Sequence, residues 1–206
     1  MTIEQRCALC ASFLFAAYVI LGLFSSHAPP GALDRAGEGL IGHGVPLAAI
    51  LTRLGMLPSY ALICVALLVF ALLRRAWLPR VFFSIAALLI AWCVSDAGKF
   101  FFARPRMDHW IAIHETSYSY ASGHATLALT FYGLWVRFVM RGDAPIAARR
   151  LLAACIVVLI IGIGWSRAAL GAHYLTDILG GYALGGALLC AAGGCERLFL
   201  RTHQAL

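Results

Sequence analysis

The chain has 206 residues, 62% of them hydrophobic and only 12% charged, with a mean hydropathy of +0.87. A water-soluble domain carries about a quarter charged residues, so this composition excludes a soluble globular protein and indicates an integral membrane protein. The formal charge of +7 does not imply nucleic acid, because the arginines gather in short segments between apolar runs, where they mark topology.

The first apolar run covers residues 7–24, after a short segment holding Arg6. Its small residues Ala16 and Ala17 resemble a signal peptide, but no clean cleavage site follows, and a retained first helix is expected. Residues 25–44 are rich in Gly, Pro and polar side chains and read as a loop outside the bilayer. The later part of 34–57 suits an amphipathic helix in the interface. Residues 58–73 form a second, short span ended by Arg74-Arg75, and residues 81–98 a third. A long polar loop, 99–121, carries Arg104, Arg106, Asp108, His109, His114 and Glu115. Residues 122–140 are a fourth span, 141–150 a charged loop, 151–165 a fifth span and 173–195 a sixth. Several of these runs approach the ~20 residues that cross a bilayer. The small residues Gly180, Gly181, Ala183, Gly185 and Gly186 suit close helix packing. The expected fold is all-α: one membrane-embedded domain over residues 1–206, a polytopic bundle of six transmembrane helices.

Six spans put both termini on one side. That side collects Arg6, Arg74, Arg75, Arg80, Arg137, Arg141, Arg149, Arg150, Arg197 and Arg201. The other side holds Arg35, Arg53, Lys99, Arg104, Arg106 and Arg167. The larger set marks the cytoplasm, which makes both termini cytoplasmic and gathers three polar clusters on the extracytoplasmic face. Most of the seven cysteines lie in apolar runs, where cysteine is a small hydrophobe. Cys7 and Cys10 are spaced like a metal or redox pair but lack a second pair, so neither a disulfide framework nor a zinc site is expected.

The first cluster is Lys99 to Arg106. Lys99 is the only lysine of the chain, at the end of an apolar helix where a charge is expensive unless it serves something. Its compact ammonium suits a phosphate oxygen, and Pro105 stiffens the turn that presents Arg104 and Arg106. The second is Ser122-Gly123-His124. Ser122 occupies an N-cap position, whose free N–H groups and helix dipole favour an anion. Gly123 lets the backbone approach a ligand, and His124 stands ready to exchange a proton with it. The third is Ser166-Arg167, then His173 and Asp177. Four residues apart on a helix, His173 and Asp177 share a face. The carboxylate then accepts the proton of one imidazole nitrogen and frees the other to attack. Arg167 adds a fork of donors suited to phosphate. His114 and Glu115 have no third ligand at useful spacing, so no metal is expected, and with Arg104, Asp108 and His109 they read as solvated loop or substrate rim.

Lys99-x6-Arg106, Ser122-Gly123-His124 and Ser166-Arg167-x5-His173-x3-Asp177 resemble the motifs of the type 2 phosphatidic acid phosphatase superfamily, in the family's order. Met107 and Ala121 stand where that pattern has proline. The resemblance implies metal-independent hydrolysis of a lipid phosphate without a cofactor. His173 would be the nucleophile, Asp177 its orienting partner and His124 the proton donor. Lys99, Arg106, Ser122, Gly123 and Arg167 would hold the phosphoryl oxygens. The implied substrate is a polyprenyl diphosphate or a phospholipid phosphate, met in the inner (plasma) membrane at its extracytoplasmic boundary, with membrane lipids rather than nucleic acid as partners. A lipid phosphotransferase using the same histidine, and a non-catalytic transporter or binding protein for anionic lipids, are the alternatives.

Overall fold

The computed structural model of the chain describes residues 1–107 and 115–204, with side chains through Cys195. Asp108, His109, Trp110 and His114 of the polar loop lie outside the described residues. The regular secondary structure among the described residues is helical: α1 (Ile3–His27), α2 (Ala32–Glu38), α3 (Val45–Leu54), α4 (Leu57–Leu73), α5 (Leu78–Phe102), α6 (Gly123–Met140), α7 (Ile146–Ala169) and α8 (Leu175–Gln204), with a short 3-10 turn at Arg75–Trp77. Helix starts follow local chemistry. Thr2 and Gln5 form a reciprocal capping box on α1. Pro46, Pro58 and Pro79 occupy the first turns of α3, α4 and α5, where no N–H partner is lost.

The bundle is built around α6, which packs against α5, α7 and α8. One buried cluster joins Leu127, Phe131 and Tyr132 of α6 to Tyr60, Leu88, Ile160 and Ile163. On the other side α8 runs against the α6 backbone. A Cβ at Gly181 would stand 2.6 Å from the Ser122 carbonyl oxygen, and one at Gly185 2.7 Å from that of Thr126, so only glycine permits this approach. Large apolar side chains such as Phe13, Leu62, Leu73, Phe101 and Val158 face outward. Leaving each in water would cost about 1.5–3 kcal/mol, which a hydrocarbon surround removes.

Four helical stretches are long and apolar enough to cross a membrane: Ile3–His27, Arg75–Phe102, Ile146–Ala169 and Leu175–Cys195. The α3–α4 pair, bent by 52° at its break, makes a fifth if it is one span. The six expected spans therefore meet four or five by length and composition. The expected fourth span, α6, is not among them, because its His124, Thr126, Thr130 and Arg137 lower its hydropathy. Wrapped by three helices, it presents much of its surface to protein, so it need not be apolar all round.

Several boundaries differ from the sequence reading. The loop over 25–44 contains α2. The segment expected to lie in the interface is α3, and it packs on α7 through Ala48, Ala169 and Leu170. α5 continues through Lys99, and α7 through Ser166 and Arg167.

Candidate active site

Three chain segments meet at one end of α6. The first leaves α5 at Ala103, whose left-handed backbone (φ 46°) ends the helix. Beyond it the side chains of Arg104 and Arg106 diverge: Arg104 reaches α2 and α8, Arg106 the turn before α8. Arg106 Nη1 donates to the Ala172 carbonyl (2.8 Å) and lies 3.4 Å from His173 Nε2. Its Nη2 donates to Glu115 Oε2 (2.8 Å) and Ser117 Oγ (3.0 Å). Lys99 Nζ reaches the same Ser117 Oγ at 3.4 Å.

The second segment is the α7–α8 turn. It reverses at Gly171 (φ 66°), a left-handed position that glycine adopts without strain. The N–H groups of Ala172 and His173 both return to the Arg167 carbonyl. His173 thus stands before α8 rather than on it, and the turn, not a shared helical face, brings it to Asp177. Its Nδ1 lies 3.4 Å from Asp177 Oδ2 and 3.4 Å from Ser119 Oγ. Asp177 Oδ2 also accepts from the Tyr174 N–H (3.0 Å) and from Ser119 Oγ. With Nδ1 against a carboxylate, the proton belongs there and the Nε2 lone pair faces the cations. Burial pushes the His173 pKa well below the ordinary imidazole value, and Arg106 and Arg167 push it further. Both effects favour the neutral ring, the form in which an imidazole nitrogen can attack.

Arg167 and Glu115 change the sequence reading most. Arg167 Nη1 donates to Thr52 Oγ1 of α3 (2.7 Å), and its Nη2 to Glu115 Oε1. Glu115 therefore bridges Arg106 and Arg167, the two guanidiniums expected to grip phosphate. Its carboxylate lies between the two guanidiniums rather than in solvated loop. Burial opposes its charge, but Arg167, His173, Arg106 and Lys99 outweigh that and hold its carboxyl below the ordinary value. Arg104 is likewise not at the rim. It is buried and ion-paired to Asp34 and Asp177.

The third segment is the α6 N-terminus. Ser122 is its N-cap, and its N–H donates to the Asp177 carbonyl (3.0 Å), but its hydroxyl does not cap the helix. Ser122 Oγ, His124 Nε2 and Ser95 Oγ are buried without a hydrogen-bond partner among the described residues. A Cβ on Gly123 would stand 3.5 Å from Ser95 Oγ and 4.0 Å from Lys99 Nζ. A cavity of about 350 Å³ opens here beside the α3–α4 break, lined by Met56, Leu57, Trp92, Lys99, Gly123 and His124 among others.

All eight expected residues thus join one set of contacts: Lys99 to Arg106 through Ser117, Arg106 to Arg167 through Glu115, His173 to Asp177, Asp177 to Ser122, and Gly123 and His124 beside Lys99. Such an array can bind a tetrahedral anion, present a neutral imidazole to it and hold a second imidazole at the cavity. Among the described residues no group of three His, Cys, Asp or Glu side chains is placed to hold a metal ion. Sequence reasoning missed Asp34, Thr52, Ser119 and Thr176. Thr176 lies inside the third motif, directly before Asp177, and Ser119 three residues before Ser122, whereas Asp34 and Thr52 lie near no motif.

Comparison with known proteins fits this geometry. The family model described as PAP2 superfamily matches residues 78–200, which include all eight positions. Phosphatidylglycerophosphatase B of Bacillus subtilis (strain 168) is 31% identical over 102 residues, 49% of this chain and 50% of that protein. The chain thus spans about half the length of that curated relative. The crystal structure of the first transmembrane PAP2 type phosphatidylglycerolphosphate phosphatase from Bacillus subtilis superposes with a TM-score of 0.79. The match covers 91% of this chain and 96% of that one at 23% identity, a likeness of fold.

Proposed function

The chain belongs to the PAP2 superfamily, and from that premise we propose that it is an integral membrane phosphatase that hydrolyses the terminal phosphate of a lipid through a phosphohistidine. The observation that carries this reading is the buried His173, with Nδ1 against Asp177 and Nε2 toward Arg106. In the first step the substrate phosphoryl group displaces Glu115 and lies among Lys99, Arg106, Arg167, the Ser122 hydroxyl and the Gly123 N–H. His173 Nε2 forms a bond to phosphorus as the phosphorus–oxygen bond to the lipid breaks. His124 gives its proton to the leaving oxygen; the bound phosphate supplies the negative charge that lets this imidazole carry that proton. In the second step His124 takes a proton from water, the resulting oxygen attacks phosphorus, and orthophosphate leaves with His173 restored. The cations and the helix N-terminus stabilise the charge spread over the phosphoryl oxygens, so the step runs without a metal ion.

The cavity by the α3–α4 break has Leu57 and Trp92 at its wall and Lys99 and His124 within it, an arrangement suited to a lipid whose tail stays in hydrocarbon. Its similarity to phosphatidylglycerophosphatase B supports a phospholipid phosphate monoester, and a polyprenyl diphosphate offers the same terminal group. In this reading α6 is the sixth span, both termini are cytoplasmic, and the site opens on the extracytoplasmic side of the plasma membrane.

The test is phosphate release by the purified protein from a panel of lipid phosphates, with EDTA present throughout. Release should persist in EDTA and stop with vanadate. His173→Ala should abolish turnover and leave no phosphoprotein. His124→Ala, given nitrophenyl phosphate, should accumulate acid-labile, base-stable phosphoprotein. Activity lost in EDTA and restored by Mg²⁺, or phosphoprotein in His173→Ala but not in His124→Ala, overturns the mechanism.

A further inference from the structure

Helix α2 lies outside the matched residues 78–200, and it contributes a buried acid to the site. Asp34 is 2% exposed and uses both carboxylate oxygens. Oδ2 accepts from Arg104 Nη2 (2.7 Å), and Oδ1 from the Thr176 N–H (3.0 Å) and Thr176 Oγ1 (2.7 Å). The other arm of the same guanidinium, Nη1, donates to Asp177 Oδ1 and Thr176 Oγ1. The guanidinium lies over the Tyr174 ring at 4.2 Å. The Arg104 carbonyl accepts the Ser119 N–H (2.9 Å), and Ser119 Oγ donates to Asp177 Oδ2. Arg104 therefore donates to one oxygen of Asp177 and, through its carbonyl, braces the Ser119 that donates to the other, and Asp34 holds Arg104. Seating is tight: a Cβ on Gly37 of α2 would stand 2.8 Å from Leu175 Cγ at the start of α8.

We infer that Asp34 is a positioning residue for the His173–Asp177 pair, acting through Arg104 and Thr176; the inference rests on the nucleophilic role proposed for His173. A buried Asp–Arg–Asp array is costly to desolvate, and apolar side chains of equal volume would pack as well. What the charges add is orientation. One guanidinium clamped between two carboxylates cannot turn, so the Asp177 carboxylate keeps its angle to Nδ1. Asp34 also shares the charge of Arg104. Without that share the whole cation falls on Asp177, whose hold on the Nδ1 proton weakens.

The experiment is Asp34→Asn, an isosteric change, beside wild type and His173→Ala, in the full-length protein with a lipid phosphate. kcat should fall roughly tenfold, the scale of losing an outer partner that orients a reacting side chain. KM and vanadate inhibition should stay within about twofold, because no phosphate-holding cation has moved. The acid limb of the kcat profile should shift to lower pH, since one negative charge near His173 is gone. The other groups facing His173 are unchanged: Arg106 and Glu115 of the polar loop, Lys99 of α5, His124 of α6, Arg167 of α7, and Asp177 and Tyr174 beside it. Thr176→Val removes the hydroxyl between Asp34 and Arg104. It should lower kcat about threefold at unchanged KM, and it carries the test if Asp34→Asn does not fold. Wild-type kcat in the folded variant, or a kcat loss with a matching rise in KM and no shift of the limb, overturns the role of Asp34. Turnover by His173→Ala would instead remove the reading on which it rests.

Discussion

Glu115 and a phosphoryl group need the same two guanidiniums, so Glu115→Gln should tighten anion binding. In the resting protein each Glu115 oxygen accepts from one arginine, Oε1 from Arg167 and Oε2 from Arg106. An amide keeps a neutral acceptor toward one arginine and turns its NH₂ toward the other. The change removes at least one charge-assisted hydrogen bond, ~1.5–3 kcal/mol in a buried setting. The Glu115 side chain is 28% exposed, and solvent screening discounts the figure, leaving about 1.4 kcal/mol. An anion that no longer displaces a carboxylate gains that amount, about tenfold in affinity. The assay is vanadate inhibition of phosphate release at fixed ionic strength, with direct vanadate binding by calorimetry beside it. The vanadate constant and KM should fall together by about tenfold, and product inhibition by orthophosphate should rise in the same ratio. Unchanged or weaker vanadate binding would mean that Glu115 aligns the arginines rather than competing for them, which refutes the reasoning.

His173 gives a pH prediction. Its pKa is depressed in the folded protein, so the attacking neutral form survives as pH falls. The acid limb of kcat/KM should therefore lie below the ordinary imidazole value of about 6.5; a limb at or above it contradicts the buried, cation-flanked ring. Topology can be read by cysteine labelling in a background without the exposed Cys10, Cys93, Cys155 and Cys195. Gly142→Cys should react only from the cytoplasm and Tyr118→Cys only from outside, and the reverse pattern moves the site to the other face. Gly185→Ala drives a methyl into the α6 backbone and should cost about 1–3 kcal/mol by overpacking, seen as a lower melting temperature in detergent. Gly31→Ala, with open space around it, should leave that temperature unchanged; equal melting of both variants would mean that α8 does not ride on α6 as described.

The residues of the three motifs, which the structure brings together, were legible because their chemistry is written into short spacings. Lys99 to Arg106, Ser122 to His124 and Arg167 to Asp177 are each local, and the apolar runs between them set which face they share. Residues that act through other residues were not legible. Asp34 meets Arg104 and Thr176 across 70 and 142 positions, and nothing in its own neighbourhood, a Gly-rich loop by composition, marks it as buried. Glu115 read as loop because a lone carboxylate without a ligand partner has no pattern; its meaning lies in two arginines brought to it by α7 and the polar loop. The span count shows the same limit: length and composition mark four or five helices, not six. Hydropathy measures what lipid demands of a helix surface, and α6 presents much of its surface to other helices. The pairing of His173 with Asp177 was right for a local reason that the turn, rather than the helix, supplies.

The clamp on Arg104 has a consequence for how the protein is made. Its two carboxylates are synthesised on either side of it: Asp34 long before, Asp177 only with the last helix. The Asp34–Arg104 ion pair joins α2 to the segment after α5 and includes no residue of α8. When α8 arrives, its first turn must insert a further negative charge beside that couple, which is favourable only if Asp177, Thr176 and Ser119 dock together. Completion of the chemistry and completion of assembly are then one event. A chain stopped before α8 should remain a membrane protein with an inert, half-closed site, and quality control that senses exposed charge would find little to seize until the final helix fails to seat.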